Sequence, residues 1–480
     1  MTASHTFKLR YIHPKNLLPA TLLILLLSFT LFVYPPSVTV EAASLTDAVH
    51  VKTETELRTA IADAPSEEPI IIAIDNDIPL TETLNISVDL SLTLMSNSEG
   101  ETFSKLIGPA NKATITIADG GTLNLEGIIV THSAEAQGLG IDIKSGGTLT
   151  MTRGKISGNT AGLAGGVHND GTFTMAGGEI SANTASTSVG GAVYNTRDGH
   201  FSLSGGVISG NTANFEGGGI CNYGVFSMTG GVISKNTADN GGGVYNNGDF
   251  SFSGGEISGN TAKKGGGIYN YFYGRLTITG KATISNNKAT VSGGGIVADS
   301  PISMAGGTIS GNTAEDNGGG VYVGAGSFEL RGGKISSNTA LKNGGGIFVE
   351  NLQKLSVATG VEFSNNRAAT IYDQDSTYDE IYRARIAANI IWTSPLTYGY
   401  NNYDIGFTKD AVSTPTPSPS PSPSSFPPTI APVITPTPTP TSSTSDPFTV
   451  PIEVVVFLVI LLCLGFVAVI LYLRKKGTAK

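Results

Sequence analysis

The sequence predicts an all-β solenoid, a parallel β-helix with about 25 residues per turn, carried on a disordered stalk and one C-terminal transmembrane helix. Three observations carry this. A repeat runs through the middle of the chain, its aligned copies place like residues over like, and residues 131–359 show no sustained apolar spacing at helical period.

The repeat is marked by the phrase I-S-G-N-T-A and its variants, from Ile156 to the degenerate Phe363-Ser364-Asn365-Asn366. Its asparagines are Asn159, Asn183, Asn211, Asn236, Asn260, Asn287, Asn312, Asn338 and Asn366, at intervals of 24 to 28 residues. Glycine blocks followed by Val or Ile keep the same beat, as in GGAVYN from Gly190, GGGVYN from Gly241 and GGGIYN from Gly265. Phrases such as F-S-M or F-S-L before a glycine pair lie between them. Each unit thus holds three short β-branched or aromatic stretches separated by turn residues, which reads as three strands per turn. One unit cannot bury its own apolar face, so the units must stack, at the strand spacing of about 4.8 Å.

Alignment gives the core. One column is Val167, Val193, Ile220, Val244, Ile268, Ile296, Val321 and Ile347; a second is Phe173, Phe201, Phe226, Phe250, Leu276, Ile302, Phe328 and Leu355. Two residues further on stand Met175, Leu203, Met228, Phe252, Ile278, Met304, Leu330 and Val357, so this strand points inward twice. Isoleucines from Ile180 to Ile335 and alanines from Ala185 to Ala340 form two more columns. The asparagines suit a tight corner, because Asn tolerates left-handed backbone and bonds its own backbone, and stacked amides can bond from rung to rung. Asparagines and glycine blocks therefore read as scaffold rather than site.

The ends give the topology. Residues 1–43 read as a signal peptide: Lys8, Arg10 and Lys15 precede an apolar run at 17–33, and small residues at Ala42 and Ala43 offer a cleavage site. Residues 44–110 read as a cap and opening rungs, with an amphipathic helix at 53–64 plugging the first rung and strands at 69–74, 84–95 and 113–130. The repeats fill 111–369, and 370–412 close the other end. Residues 413–449 alternate Pro with Ser and Thr, a composition that favours extended polyproline II and serves as a spacer. Residues 454–473 carry no charge over a length that spans a hydrocarbon core of about 30 Å. Arg474, Lys475 and Lys476 follow in the 474–480 tail, which puts that tail in the cytoplasm and the head outside the cell.

The GG[AG]-[IV] and F-x-x-N phrases, as in GGAV at 190–193 and FSNN at 363–366, resemble the repeats of chlamydial polymorphic outer-membrane proteins. They are also similar to β-helix adhesin-like surface proteins of Gram-positive bacteria and methanogens. The resemblance covers roughly residues 110–370. It implies a right-handed, pectin-lyase-like β-helix, a hand that the general preference for right-handed crossovers also favours, and a role in surface display or adhesion. The outer-membrane proteins end in an autotransporter barrel, whereas this chain ends in a single apolar run. That departure removes their export mechanism and points to a cell with one limiting membrane.

Composition narrows the function classes. A net charge of −9 with 14% charged residues gives no basic face for nucleic acid. Of the two cysteines, Cys221 and Cys463, the second lies in the expected span, so no extracellular disulfide framework forms, and no Cys/His spacing fits a metal. No cofactor is expected. Arg153, Glu179, Glu256, Arg331, Lys334, Lys263, Lys264, Glu315 and Asp316 differ from rung to rung instead of converging as catalytic carboxylates must. The chain is therefore read as a surface-displayed head that binds glycan or protein, with a passive wall rod and a carbohydrate-active enzyme as alternatives. The candidate binding residues are Tyr194, Tyr245, Tyr269 and Tyr322. They belong to a column with His168, Cys221, Val297 and Phe348 that follows the inward Val/Ile and so faces out. Variable loops at 186–189, 214–216, 239–240, 263–264, 290–292, 315–317 and 341–343 lie beside it. Mutual stacking of the rings along the sheet is the competing account of that column.

Overall fold

The computed structural model describes residues 47–65, 68–97, 102–358, 360–369 and 404–407. They form a parallel β-solenoid of the right-handed type, about 12 turns of about 26 residues each. The regions read as signal peptide, stalk, membrane span and cytoplasmic tail lie outside the described residues. Among the described residues no helix is long and apolar enough to cross a membrane.

A turn holds four short strands in three sheets, not the three strands read from the repeat. In one such turn Val193–Asn195 belongs to one sheet, His200–Leu203 and Val207–Ser209 to another, and Thr212–Ala213 to a third. The extra strand comes from the glycine pair. At Gly205 and Gly206 the chain bends within the sheet, with Gly206 at φ +83°, so the F-S-L and V-I-S stretches remain side by side as separate strands. Elsewhere the two fuse into one long strand, as in Thr148–Ser157 and Phe328–Ser336. The three sheets are called here sheet 1 (two strands per turn), sheet 2 (Val/Ile-x-Asn) and sheet 3 (Thr-Ala).

The Val/Ile, Phe/Leu, Met/Leu and Ile columns are paired residue for residue, and the alanine column is paired except between Ala213 and Ala238. Val193 sits over Ile220 and Ile220 over Val244, while Phe173, Phe201, Phe226 and Phe250 follow one another in sheet 1. The phenyl rings stack nearly parallel at centroid distances of 4.7, 5.0 and 4.4 Å. The first four columns line one continuous apolar core from the first rung to Ile405, and Ala185, Ala213 and Ala238 form a separate small cluster. A stack of this kind buries its side chains against like neighbours, and the ring spacing matches the rung spacing.

Helix α1 (Glu54–Ala62) closes the first turn. Thr53 is its N-cap and accepts from the Glu56 amide, Glu54 and Glu56 sit in the first turn where the helix dipole favours acid, and Leu57 is buried under the rung. A strand outside the expected ones, Val49–Val51, precedes the helix and pairs with Ile70–Ile74. At the other end Ile405–Phe407 pairs with Ile347–Val349 in sheet 2; the rest of 370–412 lies outside the described residues.

The corner asparagines differ from the expected geometry in one respect. The left-handed residue is the one before each asparagine: Gly158, Ala182, Gly210, Lys235, Gly259, Asn286, Gly311, Ser337 and Asn365 all have φ between +54° and +69°. That residue turns the corner, and the turn throws the following asparagine inward. All nine asparagines are buried. In the first eight, Asn159 to Asn338, the amide Nδ2 donates to the Oδ1 of the asparagine one rung on, at 2.9–3.1 Å, and so does the backbone N–H. The second amide proton bonds a carbonyl of the rung before, Val130 for Asn159 and an isoleucine for the others, as in Asn236 Nδ2 to Ile208 O at 3.0 Å. A buried amide with every proton and its oxygen engaged costs nothing in unmet hydrogen bonds and fixes rung-to-rung register.

Candidate functional site

The described surface has one region where aromatic rings and carboxylates gather, the outer side of sheet 2 and the turn that leads from it into sheet 1. Its floor is set by alternation. In Ile220–Asn222, Val244–Asn246 and Ile268–Asn270 the first residue enters the core, the second points outward and the third returns inward.

The inward third residue builds a feature that the sequence reading passed over. Asn169, Asn195, Asn222, Asn246 and Asn270 form a second buried amide column, each Nδ2 donating to the next Oδ1 at 2.6–2.8 Å. The Asn that ends the phrases GGAVYN and GGGIYN was its visible mark. The column stops at Asn270, because Ala298 takes the next place and Asn270 turns its amide to the carbonyls of Ser300 and Pro301. It holds the backbone of the turn that follows, where Tyr223 and Tyr271 come next in sequence.

The outward column lies outside the main core, yet it is not an open face. Cys221, Tyr245, Tyr269 and Val297 form a separate buried cluster, against which Val189, Tyr194, Tyr223 and Tyr322 pack. Of the four candidate tyrosines, Tyr245 and Tyr269 are 2% and 7% exposed, while Tyr194 and Tyr322 are half-buried. The rings of Tyr245 and Tyr269 are covered because the next turn folds back over them: Tyr271 lies 5.6 Å from Tyr245 and 5.7 Å from Tyr269, and Tyr223 lies 6.3 Å from Tyr245. Tyr322 packs at the C-terminal end of the cluster and stacks on Phe348 at 5.5 Å.

The exposed aromatic surface is therefore carried by residues that the sequence reading did not single out. Tyr271, Phe272 and Tyr273 are 40%, 63% and 72% exposed. Their loop is held from both sides: the Tyr271 amide donates to Asn246 O and the Tyr273 amide to Asn247 Oδ1 on the rung before, and Ser300 Oγ donates to Phe272 O from the rung after. Three consecutive aromatics between the repeat phrases YN and GR were their signal.

Every charged side chain hydrogen-bonded to the outward ring column is a carboxylate. Tyr269 donates to Asp299 Oδ2 at 2.5 Å, Tyr322 to Glu350, and Tyr223 to Glu216 Oε2 at 3.4 Å. Burial pushes the carboxyl of Glu216, from the variable loop at 214–216, above the ordinary range, and the phenols of Tyr245 and Tyr223 pull the other way. Burial likewise pushes the phenols of Tyr194, Tyr223, Tyr245, Tyr269 and Tyr322 up, so all are neutral donors. At the N-terminal end of the column His168 Nδ1 lies 3.0 Å from Asp142 Oδ1.

The charges scattered over the other faces pair mostly between neighbouring rungs, as Lys155–Glu179, Lys263–Asp239, Lys288–Glu315 and Lys342–Asp316 do at 2.7–3.1 Å. Such exposed pairs contribute about 0–1 kcal/mol each and build no cleft. Among the described residues no cluster of His, Cys, Asp and Glu has a metal-holding arrangement.

Comparison with known families agrees with this architecture. Residues 281–299 match the Chlamydia polymorphic membrane protein repeat. The match covers ISNN and GGGI and follows the exposed aromatic turn after the strand Arg275–Ile278. Its repeats are thus similar to those of that family. No curated protein and no solved structure matches the chain.

Proposed function

We propose that the chain is a surface-displayed, adhesin-like protein whose solenoid head binds a partner through the outer side of sheet 2 and its following turn. The observation that carries this is the pinned loop of Tyr271, Phe272 and Tyr273. Large aromatic rings held at 40–72% exposure bury only part of their surface in the fold, and such a patch on a rigid backbone is the usual mark of a contact surface. The match to a membrane-protein repeat supports surface display, as do the expected signal peptide, Pro/Ser/Thr stalk and single span that leaves the head outside the cell.

One observation favours the passive rod instead. Tyr245 and Tyr269 are buried in their own cluster, so much of the tyrosine column is packing. Adherence separates the two readings. Cells carrying the full chain should bind a lawn of other cells or extracellular matrix several-fold better than cells lacking it. Equal adherence would leave a rod.

A further inference from the structure

We infer that the head's ligand is an uncharged glycan chain lying along an aromatic track that runs from Tyr194 to Tyr273, parallel to the solenoid axis. This deepens the adhesin-like reading and rests on it. The track is a series of ring-to-ring contacts: Tyr194 to Tyr223 at 5.9 Å, Tyr223 to Tyr245 at 6.3 Å, Tyr245 to Tyr271 at 5.6 Å, Tyr271 to Phe272 at 6.3 Å, and Phe272 to Tyr273 at 4.8 Å. It crosses four successive rungs, which at the strand spacing is about 14 Å. Tyr245 lies beneath as a buried base, and the rings beside and above it present partly or largely exposed surface.

Three features select a sugar polymer. First, the track is long and narrow. A protein partner needs about 800 Å² from each side for a stable contact, whereas an extended polymer is held by a single file of rings. Second, flat ring faces match the C–H faces of sugar rings, and an aromatic ring with a polar tip serves both the apolar face and the hydroxyls around it. Third, the charged groups bonded to the column are Glu216 and Asp299 here and Glu350 further along. Carboxylates accept hydrogen bonds from sugar hydroxyls and repel uronates, sulfated glycans and nucleic acids. The loop is also fixed before the ligand arrives, by Asn246, Asn247 and Ser300, so little ordering is needed on binding.

The test uses the full-length chain on surfaces bearing cellohexaose, chitohexaose, polygalacturonate or a glycan-stripped matrix protein. The variants are Phe272→Ser with Tyr273→Ser, and Leu341→Ser as a control at an exposed position outside the track. Both changes lie at exposed side chains, so the fold is unaffected and circular dichroism should not change. Retention on a neutral oligosaccharide, reduced about tenfold or more in the double variant and kept in the control, is the expected result. Preference for polygalacturonate, or neutral-glycan retention that the double variant does not alter, overturns the inference. Retention on the stripped protein alone also overturns it and leaves the adhesin-like reading standing. Retention on no surface, together with no gain in cell adherence, removes both.

Discussion

His132 Nδ1 lies 2.8 Å from Asn159 Oδ1, at the N-terminal end of the long asparagine column. An amide oxygen only accepts, so the histidine is the donor, and it supplies what an earlier asparagine would otherwise supply. At the far end Asn366 Nδ2 donates to Asp404 Oδ1 at 2.9 Å. The column has a direction, each amide giving protons forward, and it is closed by a donor at its start and a carboxylate acceptor at its end.

That direction makes the middle of the column costlier to break than its start. Asn236→Leu strands the Asn211 amide and backbone N–H and removes the side-chain donor to the Ile208 carbonyl, all buried, while Asn260 Oδ1 keeps the Asn236 backbone N–H. At about 1–3 kcal/mol for each unmet buried group, partly relaxed, the loss should reach about 3–5 kcal/mol. His132→Leu strands chiefly Asn159 Oδ1 and should cost about 1–3 kcal/mol, felt in the first rungs. Denaturant unfolding with amide exchange resolved by rung separates the two, since a solenoid opens locally. Equal costs would refute a directional column.

Two glycines 19 residues apart, Gly191 and Gly210, should differ sharply when changed to alanine. Gly210 is left-handed at φ +65° with nothing within 4 Å of an added Cβ, so Gly210→Ala carries only backbone strain, about 1–2 kcal/mol. Its counterparts Ala182 and Lys235 already bear that strain. Gly191 has room for no Cβ, which would stand 2.3 Å from Gly218 O and 2.7 Å from Thr212 O, both backbone atoms of the next rung. Gly191→Ala must push two rungs apart and should cost more than about 3 kcal/mol, or prevent folding. Melting curves of the pair check this, and similar shifts for both would contradict close rung contact at the glycine block.

These two glycines show why the columns were legible in the sequence and the site was not. A stacked fold repeats its environment, so each inward position asks for the same residue on every turn, and the alignment of Phe201 over Phe226 over Phe250 declares itself. The bend at Gly206 leaves no such mark, because a glycine reads alike as turn, bend or close approach; hence three strands were read where four stand. The exposed loop breaks the repeat. Tyr271, Phe272 and Tyr273 occur on one rung alone, where no column calls attention to them, and the regular tyrosines that did stand out are largely buried. Periodicity reveals packing, and departures from it reveal surface.

The two carboxylates flanking the outward column should shift stability with pH in opposite senses. Burial works against ionisation of Asp142, but hydrogen bonds from His168 and Lys144 and their charges outweigh it, and its pKa is lowered. The unfolded chain then binds that proton more readily, so the contribution of Asp142 is present above its unfolded pKa and lost as pH falls through the folded one. Glu216 is raised, chiefly by burial, so the folded chain binds its proton more readily. Its protonated form is the better tolerated, and stability is lost as pH rises from the unfolded pKa through the folded one. Asp142→Asn should flatten the acid limb of the stability profile, and Glu216→Gln should raise stability near neutral pH relative to that near pH 4. Profiles displaced in the same direction by both changes would be inconsistent with these environments.

Cys221 reports on the opening of the same column. Its thiol is fully buried in the cluster with Tyr245, Tyr269 and Val297, and burial, followed by the nearby Glu216 charge, pushes its pKa well up. A thiol that is both inaccessible and protonated does not react, because the thiolate is the nucleophile. In a chain with Cys463 changed to Ser, labelling by an aromatic disulfide reagent at pH 8 should therefore be far slower than in denaturant and limited by local opening of the 220–222 strand. Tyr245→Ala removes the neighbouring ring and about 3 kcal/mol or more of packing, and labelling should accelerate by about 100-fold or more. Tyr245→Phe keeps the ring and loses only the hydroxyl, so labelling should stay within about tenfold of the parent. Rapid labelling of the parent chain would place Cys221 at an open surface and undo the account of the outward column as a packed cluster.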